Sequence, residues 1–426
     1  MSTRNGSGPA TAADPSRRRF LCGSGAAAAT AIAPGMAAGR EARIAGIGAP
    51  EKTELRVGFM PLTDCASIVM ASIQGFDRKH GIKITPVKES SWAAIRDKLI
   101  TGELDAAHAL YGLVYGVQTG IGGLRRDMAV LMTLNRNGQG ITLSRRLGEA
   151  GVTDGAALGR LLRDRGREYV FAQTFPTGTH AMWLNYWLAA HGIDPLRDVR
   201  TVTIPPAQMG EAMQAGRIDG CCVGEPWNAK AVLDGTGFTV ATSQQIWPDH
   251  PEKVLGATAE FVERNPNCAR ALVAAVLDAS RFVDAAENRA AVARTLADSA
   301  FVGAELAAIE GRLLGRYEDG RGGAWQDPGA VRFFGGGEVT FPWLSDGMWF
   351  LTQHRRWGLL RSEPDYLAVA ARVNRVDVYR EAAAQAGVPL PAQPMRSSTL
   401  IGGVVWDGRA PGRHAAAFAD RRPPAG

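Results

Sequence analysis

Few residues in this 426-residue chain have a type and spacing suited to making or breaking a covalent bond. The chain contains no Gly-x-Ser-x-Gly elbow, no His-Glu-x-x-His, no phosphate loop and no dinucleotide-binding glycine fingerprint. Its five cysteines, Cys22, Cys65, Cys221, Cys222 and Cys268, match no zinc spacing and are too few for a disulfide scaffold. Cys221 and Cys222 are adjacent on an apolar run, where free cysteines are mostly packed thiols. A nucleophile at Cys222 would need a base such as His108 or His180 beside it. What the residues do offer is anion chemistry. Ser91-Trp92-Ala93 and Thr179-His180-Ala181 stand at expected helix starts, where unpaired backbone N–H groups favour negative charge. Two such ends facing one cleft would form an anion site before any side chain is counted.

The elements that must position these ends form a repeat. Leu55–Phe59 reads as a strand, Met60–Asp64 as a loop and Cys65–Gln74 as a helix; Tyr169–Ala172, Phe175–Thr179 and His180–Ala190 repeat that order, with Gly192 as a helix stop. A second echo follows. Gly102-Glu103-Leu104-Asp105-Ala106 comes after a helix over Trp92–Thr101, and Gly216-Arg217-Ile218-Asp219-Gly220 comes after one over Gln208–Ala215. In each case a glycine ends the helix, an apolar–Asp pair follows, and a strand of small residues begins. Alternating strands and helices in both halves predict two parallel-sheet α/β lobes, whose ligands bind where strands end and helices begin. Asn265–Leu314 is Ala-rich with helical spacing, Gly320–Gly337 is a glycine-rich loop, and Asp346–Gly358 is helical again. Residues 409–426, rich in Pro, Arg and Ala, read as a disordered tail.

Charge and the chain's start bear on location. The formal charge is +6, but Arg4, Arg17, Arg18 and Arg19 against Asp14 place half of it within residues 1–38. The remainder is too weakly basic for a nucleic-acid surface, and no nucleic-acid motif is present. Hydrophobic residues at 46% and charged residues at 21% are those of a globular chain. Arg17-Arg18-Arg19-Phe20-Leu21, an apolar stretch over Gly23–Ala33 and a small-residue region ending at Ala38 have the order of an export signal, and the paired arginines resemble the twin-arginine type. The apolar stretch is far short of the roughly 20 residues that span a bilayer. Cys22 lies at its beginning, where a lipoprotein anchor would need a cysteine at its end. The expected location is therefore the periplasm.

Seven segments in order then carry a resemblance: Met60–Ala66; Ser91-Trp92-Ala93 with Arg96-Asp97-Lys98; Gly102–His108; Gly178–Trp183; Asp219-Gly220 with Cys222–Asn228; Asp249–Lys253; and Phe341-Pro342-Trp343. Together they resemble the nitrate- and bicarbonate-binding periplasmic solute-binding proteins of ABC transporters, over residues 54–408. The resemblance implies a type II periplasmic-binding-protein-like fold: residues 1–45 as signal and linker, 54–140 with about 250–340 as lobe 1, 141–249 as lobe 2, and 341–408 as a C-terminal extension packed on the lobes. It implies a ligand held by Trp92, Gln139, His180, the backbone around Val223 and Gly224, and Lys253, with no metal, no cofactor and no catalysis. The partners it implies are nitrate or nitrite and the permease and ATPase subunits of a transporter. The protein would be a monomer that meets the membrane only through that transporter.

The chemistry of this set suits a planar, singly charged acceptor, which calls for donors and one positive charge without competing carboxylates. A lysine about 4 Å from the anion supplies about 4 kcal/mol at an effective dielectric near 20. Micromolar capture needs about 8 kcal/mol, so neutral donors must add the rest. Taken singly, Lys253 reads as a solvated surface lysine, His180 as a helix-end residue, Trp92 with Ile95 and Leu99 as core, and Gln139 as part of a polar loop. Their joint occurrence in matching segments sets them apart. Glu225 lies beside the set, with its side chain expected to turn away toward Lys230 or a backbone group.

Lys253 also separates the anions. In the bicarbonate-binding relatives an acidic residue stands at this place and calcium accompanies the ligand, whereas a lysine repels a divalent cation. The same fold serves sulfonate, taurine and thiamine-precursor carriers, a few enzymes, and cytoplasmic nitrate sensors that lack an export signal. A reporter fused behind residues 1–45 is expected to reach the periplasm in cells with an intact twin-arginine system; retention in the cytoplasm would favour the sensor.

Overall fold

The computed structural model describes residues 48–164 and 166–417, so the export signal and Cys22 lie outside the described residues. Ten strands form two five-stranded sheets. They are β1 (Glu54–Phe59), β2 (Lys83–Lys88), β3 (Ala106–Leu110), β4 (Met128–Thr133), β5 (Gln139–Ser144), β6 (Val170–Gln173), β7 (Arg200–Thr203), β8 (Gly220–Gly224), β9 (Gly237–Thr242) and β10 (Lys253–Thr258). The sheet orders, β2-β1-β3-β10-β4 and β7-β6-β8-β5-β9, are the same pattern twice. Three strands in each are parallel, joined through helices as β-α-β crossovers require.

The sheets are mixed rather than purely parallel. β10 runs antiparallel between β3 and β4, and β5 runs antiparallel between β8 and β9. The reason is that the chain leaves the first sheet through residues 134–138 and returns through 247–252. Each passage delivers a strand into its new sheet from the opposite direction.

The repeat seen in the sequence has a physical cause. Asp105 accepts the backbone N–H of Arg56 at 2.9 Å and pairs with Lys52 at 2.6 Å. Asp219 accepts the N–H of Val170 at 2.9 Å and pairs with Arg167. One carboxylate thus pins the start of the central parallel strand, β1 or β6, in each sheet. The glycines before them, Gly102 (φ 76°) and Gly216 (φ 70°), take the left-handed conformation that stops a helix without steric cost.

Core burial follows the apolar faces. The helix Pro266–Asp284 buries its Ala, Val and Leu residues between Ala66–Ile73 and Val376–Gln385, behind the first sheet. The helix Leu344–Arg356 lies against both Tyr111–Thr119 and Thr179–Ala190, and Trp349 stacks on Trp183 at 4.6 Å between ring centres. Two segments depart from expectation. Leu306–Gln326, expected with the first lobe, bridges the two: Leu306–Leu313 packs on Ala286–Ala297 and buries Ile309 and Leu313 in the core behind the first sheet, while it also meets Trp227–Leu233, and Thr239 N–H of β9 bonds the Asp319 carbonyl at 3.0 Å. The tail after Gly408, expected to be disordered, holds a helix: Pro411–Ala416 begins with the proline that suits a first turn and buries His414 and Ala415, while Arg356 donates to the Ala415 carbonyl at 3.3 Å, and residues 418–426 lie outside the described residues.

Gly112, in the helix Tyr111–Thr119, marks a close approach of the two halves, because a Cβ there would meet the Thr177 carbonyl. Gly112→Ala is expected to cost about 1–3 kcal/mol in urea denaturation through overpacking. Gly210→Ala, in the helix Met209–Gln214 with nothing within 4 Å of the added methyl, should be neutral or stabilising by up to about 1 kcal/mol.

Candidate functional site

Both passages between the sheets end on a residue of the expected set. Gln139 opens β5 and Lys253 opens β10. Trp92 is the first residue of its helix, whose start Ser91 caps by accepting Ala94 N–H at 3.1 Å. His180 lies in the first turn of Thr179–Ala190, a helix that starts at Gly178 with no side-chain cap and so leaves first-turn N–H groups free. Gly224 ends β8, opposite Gln139 in the ladder.

The structure brings the set together. Lys253 Nζ lies 5.6 Å from the centre of the Trp92 ring, the Trp92 and His180 rings are 6.5 Å apart, and a methyl on Gly224 would sit 3.5 Å from His180 Nε2. Gln139 Oε1 accepts the Cys222 thiol at 3.8 Å. Val223 contributes backbone only, since its side chain packs with Val170, Met209 and Met213 on the far face of the sheet. Lys253 and His180 are both 0% exposed, so neither is the surface residue that it would be taken for alone.

Three donors of this set have no hydrogen-bond partner: Trp92 Nε1, Gln139 Nε2 and His180 Nε2, the last 3.6 Å from Glu252 Oε1. A buried N–H without an acceptor costs about 1–3 kcal/mol. Three at one place are poor value for stability and suit a site that presents donors to a guest. His180 is arranged for that task. Its Nδ1 lies 2.5 Å from Thr174 Oγ1, so a hydroxyl hydrogen given to Nδ1 leaves the proton on Nε2, facing the set. Burial, with Lys253 nearby, pushes the His180 pKa well below its ordinary value and keeps the ring neutral.

The expectation of a site without carboxylates fails. Lys253 Nζ donates to Asp64 Oδ2 at 2.7 Å and also bonds Glu252 Oε1, and both acids are buried. A lysine buried this deeply is untenable alone, because desolvation of a lone ammonium outweighs anything a neutral pocket returns. Burial pulls its pKa down, but Asp64 and Glu252 outweigh that effect and hold it above the ordinary lysine value. Asp64 is held further by His108, whose Nε2 lies 2.7 Å from Oδ1 while Nδ1 accepts Met60 N–H at 3.4 Å. Although burial opposes it, Lys253 and His108 keep Asp64 below the usual carboxylate range and therefore ionised. Asp64, His108 and Glu252 all lie in the segments that carried the resemblance. Their signal was adjacency to expected ligands, and it was too weak to assign contacts. Among the described residues, no group of three or more His, Cys, Asp and Glu is placed to hold a metal ion.

The site is sealed by loops from both halves. Thr63 N–H donates to the Glu225 carbonyl at 2.8 Å, Trp227 Nε1 donates to the Pro61 carbonyl at 2.9 Å, and Leu62 lies over Gly224. Entry of a ligand requires these loops to part. A surface hollow of about 370 Å³, lined by Arg145, Phe238 and Arg321 among others, shares no residue with the cluster.

Comparison with known proteins gives this geometry a lineage. Residues 48–297 match the NMT1-like family. The chain belongs to that family. The nitrate/nitrite binding protein NrtA of Synechocystis sp. (strain ATCC 27184 / PCC 6803 / Kazusa) is 36% identical over 377 residues, covering 85% of this chain and 84% of that protein. The crystal structure of the periplasmic nitrate-binding protein NrtA from Synechocystis PCC 6803 superposes with a TM-score of 0.84 at 35% identity, covering 87% of this chain and 100% of that one. The expected periplasmic-binding-protein fold is therefore the fold found. The bicarbonate transport ATP-binding protein CmpC of Synechococcus elongatus (strain ATCC 33912 / PCC 7942 / FACHB-805) is equally 36% identical, over 85% of this chain and 54% of that protein. Overall similarity to these relatives thus does not choose between two anions, and the residues at the centre must.

In this NMT1-like chain Glu225 turns away from the cluster as expected, but not toward Lys230, which pairs with Asp234 and Glu305. Its carboxylate accepts Arg312 Nε and Ala229 N–H, each at 3.0 Å, inside the protein. Arg312→Met would leave that buried carboxylate without its cation and is expected to cost about 3–5 kcal/mol in denaturant unfolding, with Glu225→Gln added to it recovering much of the loss.

Proposed function

We propose that this chain is the binding component of an ABC-type uptake system for nitrate or nitrite, holding the anion between its two sheets and transforming nothing. One observation carries the reading: three unpartnered buried donors, on Trp92, Gln139 and His180, converge with the Lys253 ammonium where two helices begin. Nitrate has three coplanar acceptor oxygens and no donor, so it can satisfy all three and leave none of its own unmet. Gly224 keeps open the space beside His180 that any side chain would fill. The names of the relatives support the same reading.

The lysine supports nitrate over metal-assisted bicarbonate. Its ammonium stands between Asp64 and Glu252, the place that a cation shared by two carboxylates would take. Catalysis at Cys222 is disfavoured, because burial, with the Glu252 charge added, pushes its thiol well above the ordinary range and leaves no thiolate to attack. In this reading the paired arginines send the folded monomer to the periplasm. Among the described residues no helix is long and apolar enough to cross a membrane, and contact with one would come through permease and ATPase subunits.

The test is calorimetric titration of the mature protein with nitrate, nitrite, taurine, and bicarbonate with and without calcium. Nitrate or nitrite is expected to bind and bicarbonate to gain nothing from calcium. Lys253→Ala should weaken nitrate binding at least tenfold, as a loss of about 1.4 kcal/mol already does. Gln139→Leu, which removes the amide donor together with the oxygen that accepts the Cys222 thiol, should weaken it by about tenfold on the same scale. Unchanged affinity in both variants would remove the cluster from the binding site.

A further inference from the structure

The cluster holds more negative charge than an anion site can keep. Among the described residues, Lys253 is the only Lys or Arg within ion-pair distance of Asp64 or Glu252. With both acids ionised the trio already carries a net charge of −1, and a bound nitrate would bring a second negative charge into a space sealed from water. Resting on the reading of this cluster as a nitrate site, we propose that Glu252 is a neutral acid in the anion-bound protein, so that above neutral pH each anion is captured together with one proton.

Geometry singles out Glu252 over Asp64. Both Asp64 oxygens accept hydrogen bonds, from Lys253 and His108 at 2.7 Å each, and a proton placed there would displace one of them. Glu252 bonds Lys253 through Oε1; its Oε2 is buried and holds no hydrogen bond, with the Trp183 indole the neutral donor that acts on this carboxylate. A proton therefore fits on Oε2 without breaking any existing bond.

No other group facing Glu252 supplies the missing positive charge. His180 Nε2, from its helix, lies 3.6 Å from Oε1, and His250 Nδ1, from the return passage, lies 3.9 Å from Oε2 and is engaged by the Pro251 carbonyl at 3.0 Å. Burial keeps both rings neutral, and His108 on β3 likewise. Cys222 on β8 keeps its thiol proton. Arg396, which acts on His250 from the C-terminal segment, is spent on Asp346 at 2.8 and 3.0 Å. Burial, opposed by Lys253 and reinforced by Asp64, pushes Glu252 up to about 8 in the protein as it stands. An added anion raises it further, so the sign is fixed: affinity is level below the empty-state value and falls as pH rises through it, at most tenfold per unit.

The experiment is calorimetry of nitrate binding in paired buffers of different ionisation enthalpy, at about pH 6 and about pH 9, on the mature wild-type protein and on Glu252→Gln. Expected for the wild type is uptake near zero at the lower pH and approaching one proton per nitrate at the higher. Glu252→Gln should bind nitrate with no uptake and with level affinity. The wild-type measurement stands alone should the variant not fold. Binding at the higher pH without proton uptake overturns the proposal and leaves the nitrate reading intact, and uptake that survives in Glu252→Gln assigns the proton elsewhere and overturns it as well. Absence of nitrate binding at either pH overturns both.

Discussion

Everything at the centre of this protein depends on one ammonium group being kept dry. A lysine side chain with no solvent exposure is sustained only by carboxylates at bonding distance, and Asp64 and Glu252 supply them from two different segments. Those acids need support in turn. Asp64 leans on His108 of β3, and Glu252 is held at its backbone by Thr179, whose hydroxyl donates to the Glu252 carbonyl at 3.3 Å. The charge network therefore reaches from the first sheet to the helix that carries His180. The charges themselves all come from the first half and the return passage, and the second half adds only that neutral hydroxyl.

Much of the architecture was legible beforehand. The repeated strand–loop–helix units, the glycine-stopped helices and the apolar–Asp pairs are local patterns, and local patterns survive in sequence because each is enforced by nearest neighbours. Asp105 and Asp219 are legible for a different reason: each pins a strand start about 49 residues earlier in the chain, and the motif shows itself because it occurs twice. What could not be read was the direction of β5 and β10, since an antiparallel strand buried on both faces has the same apolar run as a parallel one. The contact of Leu306–Gln326 with the second half was hidden for a related reason. It is set by pairs such as Arg312–Glu225, between residues far apart in the chain.

The candidate site divides the same way. Resemblance picked out Trp92, Gln139, His180, Gly224 and Lys253, and the folded chain gathers all five. It was silent on their protonation and on their neighbours. Nothing in the string Pro251-Glu252-Lys253 says that the glutamate and the lysine bond each other, because adjacent residues on an extended strand ordinarily face opposite ways. They meet because Glu252 still belongs to the returning passage while Lys253 already opens β10.

That pair of passages has a mechanical meaning. Residues 134–138 and 247–252 are two tethers about which the halves would pivot, with Leu306–Gln326 also reaching across, and each tether hands over directly to a site residue on the opposite side. Gln139 travels with the second sheet and Lys253 with the first. A swing of the halves would therefore split the amide from the ammonium, and the full set of donors would exist only with the jaws shut. Grip and release would then be a single movement of the backbone.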